Sequence, residues 1–327
     1  MPPQGANFRV CRMPVGACIA CIAMAALSSV ELQSTGSEPL PGPMFATPTQ
    51  LDRIGRIVAP VMINGRGPFR MLVDTGASRT TVSPELVKLL GLESVPDKTI
   101  LLNGVTGVAH VPVVTIARLQ AGDFVVEGSD VPIVRAPILA GADGILGVAA
   151  FTTERIIVDF SRDRIEISRS RPRERPGTTL ATVPARRVAG GLLAIDAQVG
   201  RVRTKIIIDT GGERSLGNLA LRDALLKRKR KGDEFMNTHI YGATMDMRPG
   251  EVAYAPTIRI GDVTLRDVSV IFGDFHVFKV WGLEKRPVLL LGMDVLGVMD
   301  QLVIDYRRKE VKVSAPGMPS NRNRWLP

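Results

Sequence analysis

Asp74 and Asp209 each close an apolar run and enter the same glycine turn, in Met71-Leu72-Val73-Asp74-Thr75-Gly76-Ala77 and Ile206-Ile207-Ile208-Asp209-Thr210-Gly211-Gly212. A buried strand that delivers a carboxylate into a turn, duplicated within one chain, suggests that two carboxylates are meant to meet. At about 3 Å they cannot both ionise cheaply, so they share a proton and titrate as a pair. The ionised member takes a proton from a water lodged between them while the protonated one donates to a carbonyl oxygen. That is general acid–base attack of water on an amide, without metal or covalent intermediate. Gly76 and Gly211 permit close backbone approach, and the hydroxyls of Thr75 and Thr210 need buried partners that a bond between the loops would supply.

Other chemistries have little material. The three cysteines, Cys11, Cys18 and Cys21, all lie in the first thirty residues, so a processed chain has no thiol. The three histidines, His110, His239 and His276, form no close pair in sequence. No metal and no cofactor are expected. Aromatic residues make up 5% of the chain, too few for a base-stacking surface, and a nucleic-acid partner is not expected. The net charge of +10 gathers partly in Arg169–Pro176 and Lys227–Lys231, which read as a linker and a helix end; attraction to acidic substrates or anionic lipid is the second reading.

Arg9 and Arg12 precede an uncharged stretch from Met13 to Val30, with Ala26 and Ser28 at a cleavage spacing. Residues 1–30 read as a signal peptide, which implies an exported, periplasmic or secreted protein. The alternative is a membrane anchor through residues 13–30. Residues 31–51, rich in Pro, Ser, Thr and Gly, read as a spacer or pro-segment.

Val58 to Ile63, Asn64-Gly65 and Phe69 to Val73 predict a hairpin that ends at Asp74. Ser83-Pro84 opens a short helix that Gly91 closes. Ile195 to Val199, Gly200 and Lys205 to Ile208 predict the corresponding hairpin, and Asn218 caps a helix with Gly232 as its stop. The order recurs at offsets of 209 − 74 = 135, 218 − 83 = 135, 261 − 122 = 139 and 290 − 145 = 145. A period this long means two homologous lobes rather than a solenoid. The domains are then 52–168 and 180–315, with an Arg/Pro-rich linker at 169–179 and a tail at 316–327. The expected fold is mostly β, with a short helix in each of two β-barrel lobes related by a pseudo-twofold axis.

On these residues the chain resembles the aspartic proteases, specifically the retropepsin-like bacterial ones, duplicated into a single pepsin-like bilobal chain. Besides the Asp-Thr-Gly loops, Ile145-Leu146-Gly147 and Leu290-Leu291-Gly292 match the elements that pack behind those loops in the family. The resemblance implies an endopeptidase with Asp74 and Asp209 as its dyad, acting as a single chain on a peptide or protein. It also implies substrate-binding flaps at Asn103–Gly107, with Gly104 and Val105, and at Ile240–Thr244, with Tyr241 and Gly242. Pepsins have a hydroxyl directly after Asp-Thr-Gly. Ala77 and Gly212 lack it, so a less acidic working pH is expected. Gly212 and Glu213 also suggest a looser second loop. The rival reading is a periplasmic protein of the same fold that binds peptide or glycan without cutting it.

Overall fold

The computed structural model describes residues 46–48, 50–51, 55–121, 124–135, 139–149, 151–170, 180–227 and 235–314, the first two stretches as strand backbone alone. The leader, most of the spacer, Gly122-Asp123, linker residues 171–179, Gly232 and the tail lie outside the described residues.

Short apolar runs punctuated by turn residues produce a mostly β chain, and among the described residues the strands form sheets of eight and fifteen. In the first sheet, Asn64 and Gly65 take left-handed φ angles of 51° and 73°, as a two-residue hairpin turn of matching twist requires. They join strands Ile57–Ile63 and Arg66–Asp74, the second beginning earlier than Phe69. Arg66–Asp74 runs parallel to Gly144–Gly147, with Asp74 opposite Gly147. In the second sheet, strands Leu193–Val199 and Val202–Ile208 form a hairpin through Gly200. Val202–Ile208 runs parallel to Val288–Leu291, with Ile208 opposite Leu291. A parallel neighbour buries a strand on both sides, which fits the unbroken Ile206-Ile207-Ile208 run.

Each sheet also carries a long hairpin. Ser94–Asn103 pairs antiparallel with Val108–Ala121 in the first, and Met236–Tyr241 with Met247–Tyr254 in the second.

Helix Pro84–Leu90 starts where Ser83 Oγ accepts the Leu86 N–H at 3.0 Å and stops at Gly91 with φ 67°. Helix Leu219–Leu226 starts where Asn218 Oδ1 accepts the Leu221 N–H at 2.9 Å. It ends at Lys227, before the expected stop at Gly232. The C-terminal half has further short helices at His276–Val280 and Met293–Leu296, so the expectation of one helix per half understates it.

The halves join through strands Glu154–Asp159 and Gln301–Asp305, which pair antiparallel about Ile157 and Val303. Ile156 faces Ile304, and Val158 faces Leu302. Each strand then pairs outward, with Arg164–Arg169 and Glu310–Ser314. Beyond those lie Ala46–Pro48 on one side and Ala181–Arg187 on the other. The end of the expected spacer therefore forms a sheet strand. The Phe124 and Phe151 rings lie 4.5 Å apart and those of Phe151 and Tyr306 5.7 Å apart, within one continuous core that spans both halves. Truncating Phe151 to alanine would cost about 3–5 kcal/mol. Among the described residues no helix is long and apolar enough to cross a membrane.

Candidate active site

The loops after the two strands are tied to each other. The Thr75 N–H donates to Thr210 Oγ1 at 3.1 Å, and the Thr210 N–H donates to Thr75 Oγ1 at 3.2 Å. Each hydroxyl in turn donates across the junction at 2.6 Å, Thr75 to the Ile208 carbonyl and Thr210 to the Val73 carbonyl. Both threonines are buried, so the arrangement leaves neither hydroxyl unpaired.

This exchange brings the carboxyls of Asp74 and Asp209 within hydrogen-bond reach of each other. Each is also held by its own turn. Asp74 Oδ1 accepts the Gly76 and Ala77 N–H groups at 2.8 and 3.0 Å; Asp209 Oδ1 accepts those of Gly211 and Gly212 at 3.1 and 3.0 Å. The glycines are required by the opposite carboxyl. A Cβ on Gly76 would lie 2.5 Å from Asp209 Oδ1, and one on Gly211 would overlap the Asp74 carboxyl.

Gly147 and Gly292 brace the loops from behind. The Gly147 N–H donates to Thr80 Oγ1 at 3.2 Å and the Gly292 N–H to Ser215 Oγ at 3.1 Å. The Val148 N–H reaches the Ala77 carbonyl at 2.9 Å, and the Met293 N–H reaches the Gly212 carbonyl at 2.8 Å. The looseness expected of the Gly212 loop is thus not reflected in its hydrogen bonds, which match those of the Ala77 loop. Gly212 has a local role as well, since a Cβ there would approach Asp209 Oδ2 to 2.7 Å.

The electrostatics of the pair are unequal. Burial, and then the charge of Asp74, push Asp209 up to about 8. Asp74 is also raised, chiefly by burial, while the Gly76 N–H and the Arg56 guanidinium pull against that rise. With both carboxyls raised, the state this favours has one proton shared by the pair.

The two long hairpins meet at their tips. Thr106 Oγ1 lies 3.4 Å from Thr244 Oγ1, and Arg248 Nε donates to the Thr106 carbonyl at 2.7 Å. Gly104 packs against Thr244, where a Cβ would come within 3.1 Å of Cγ2, and Gly242 leaves room for Thr106. Val105 is half-buried and packs into the apolar cluster of the C-terminal half, alongside Ile240. Its carbonyl accepts the Val277 N–H at 3.4 Å. Tyr241 lies at the exposed end of the second hairpin. As the last residue of its strand it alternates with Ile240 and is 71% exposed. The second turn is also shifted, spanning Gly242–Asp246.

Two contributors had no clear sequence signal. Helix His276–Val280 holds the first hairpin through Val277 and through His276, whose Nε2 lies 3.1 Å from Asn103 Oδ1. Arg56, which is 7% exposed, donates through Nη1 to the Gly211 carbonyl at 3.3 Å. An arginine just ahead of an apolar strand was the only available hint of the latter.

The family model described as Aspartyl protease matches residues 59–150. That stretch contains the Asp74 loop, the first long hairpin and Gly147. No curated protein matches the chain.

Proposed function

We propose that this chain is an aspartic endopeptidase whose dyad takes Asp74 from one lobe and Asp209 from a second, homologous lobe. The observation that carries the reading is the reciprocal Thr75–Thr210 exchange, which ties together the two turns that hold the carboxyls; the rise of both carboxyls on burial supports one shared proton. The match of residues 59–150 to an aspartyl protease model supports the hydrolytic reading of the first loop. The duplication is supported by the paired offsets and by the strand junction, where Ile156–Ile304 and Val158–Leu302 exchange places about Ile157–Val303.

In the first step Asp74, ionised, accepts a proton from a water between the carboxyls. The water oxygen bonds to the peptide carbonyl carbon, and Asp209 gives its proton to the carbonyl oxygen. The tetrahedral diol then collapses as its carbon–nitrogen bond breaks. The leaving nitrogen takes a proton from Asp74, and a diol hydroxyl returns one to Asp209, restoring the starting state. The paired hairpins at Gly104–Val105 and Gly242 are the flaps of this reading. They would separate to admit an extended peptide and hold it by backbone hydrogen bonds. Residues 1–30 direct the chain out of the cytoplasm in this reading.

The test is cleavage of a denatured mixed-protein substrate from pH 3 to 8 by the chain, with Asp74→Asn and Asp209→Asn beside it. Cleavage lost with either substitution and blocked by a statine-type inhibitor supports the dyad. Undiminished cleavage by Asp74→Asn, or none by the parent chain at any pH, overturns it and leaves a peptide- or glycan-binding role to be measured.

A further inference from the structure

The two aspartates occupy matching positions, yet the residues behind them do not match. Val58 pairs with Leu72, two residues before Asp74, and Ala194 pairs with Ile207, two residues before Asp209. Two residues upstream of Val58 is Arg56; two upstream of Ala194 is Leu192, which is fully buried. A guanidinium on one side therefore corresponds to an isobutyl group on the other.

We propose that Arg56 is a positioning residue that sets which aspartate of the dyad is ionised, holding Asp74 as the base and leaving Asp209 as the acid. This rests on the reading of the pair as a proteolytic dyad, and it goes beyond that reading by assigning the roles. Arg56 donates to the carbonyl of Gly211, the residue whose backbone roofs the Asp74 carboxyl. The cation is thereby anchored across the junction on the side of Asp74.

A buried arginine cannot shed its charge, so it biases the field at all working pH values. Arg187, from the C-terminal half, is committed elsewhere. It donates to the Phe151 carbonyl at 3.1 Å and the Gly191 carbonyl at 3.4 Å, and its guanidinium lies 5.7 Å from the centroid of the Tyr306 ring. Besides the N–H groups of Gly76 and Ala77, the side chains that act on Asp74 are Asp209 and Arg56; Tyr306, raised by burial well above the usual phenol range, stays neutral. Of these only Arg56 is a cation. It supplies an asymmetry that Ala77 and Gly212, lacking hydroxyls, cannot.

The experiment compares the full chain with Arg56→Met and Arg56→Lys by two readouts. The first is the pH profile of kcat/KM on a denatured protein substrate. The second is carbon NMR titration of aspartate labelled at Cγ, with Asp74→Asn and Asp209→Asn used to identify the two signals. In Arg56→Met the acid limb moves to higher pH, giving roughly tenfold lower kcat/KM on that limb with little change on the plateau. The Asp74 signal titrates correspondingly later, and Arg56→Lys lies between Arg56→Met and the parent. A loss that is uniform across pH, with unmoved titration curves, means that Arg56 only holds the backbone and overturns the proposal. If the parent chain cuts nothing, the protease reading fails alone, because the titrations still show whether Arg56 governs Asp74. If Arg56→Met does not fold, the Lys variant decides by the same two curves.

Discussion

Thr75 and Thr210 each accept the other's backbone N–H, at 3.2 and 3.1 Å respectively, and each donates its own hydroxyl proton to a carbonyl of the opposite strand. The two halves are thereby locked at the residues next to the aspartates. Replacing either threonine by valine keeps the shape but leaves a buried N–H and a buried carbonyl unpaired. Loss of about 2–4 kcal/mol is expected for either variant in denaturant unfolding, with Thr→Ser retaining most of it. Because the two side chains form one network, the double variant should lose less than the sum. Strict additivity would show that the exchange does not act as a unit.

Gly76 and Gly211 test the geometry of the pair. Alanine at either position pushes a methyl group into the opposite carboxyl. Gly211→Ala should fold, by circular dichroism, yet lose about 100-fold or more in kcat/KM, since small displacements of reacting groups are expensive. Retention of activity to within about tenfold would mean that the carboxyls do not act in the observed arrangement.

The proton on Asp209 has a consequence for stability. Below the ordinary carboxylate range both folded and unfolded chains hold it, and the contribution is fully present. As pH rises toward about 8 the unfolded chain ionises while the folded chain does not, so the contribution is lost. The difference in Tm between the parent and Asp209→Asn should therefore fall from pH 4 to pH 8. A difference constant with pH would refute the assignment.

The same shift bears on rate. If Asp209 is the acid, kcat/KM should hold through neutral pH and decline near pH 8, well above the pepsin range. A profile that peaks near pH 2 would contradict both the burial of the pair and the consequence drawn from Ala77 and Gly212.

Arg248 clasps the opposite hairpin through the Thr106 carbonyl. Arg248→Ala should speed amide hydrogen exchange at Gly104–Gly107 by roughly tenfold, as expected for one charge-assisted bond, without altering exchange in the core strands. Unchanged exchange at the tip would show that the hairpins are held by their other contacts.

Much of this molecule was legible from local chemistry. Asn64-Gly65 specifies its turn, Ser83 and Asn218 specify their helix starts, and apolar runs before Asp74 and Asp209 specify buried strands, because each signal is carried by a few adjacent residues. Ile240 and Tyr241 mark the limit of such reading. Period-two alternation says that Ile240 and Tyr241 face opposite ways, but which face turns inward depends on what packs there, and the apolar cluster took Ile240. Strand Ala46–Pro48 is a similar case, since its Pro- and Thr-rich sequence looks like a spacer and its place in the sheet comes from Arg164–Glu166 offering an edge.

By itself, then, the sequence determined that two carboxylates stand in matching glycine turns at the ends of buried strands, since burial pattern and turn chemistry are short-range properties. Tertiary structure alone decided that the hairpins meet at Thr106 and Thr244, that helix His276–Val280 grips one of them, and that Arg56 lies against Gly211 on the Asp74 side. Those contacts join residues 138, 172 and 155 positions apart, and each exists only because the two halves close about the junction strands.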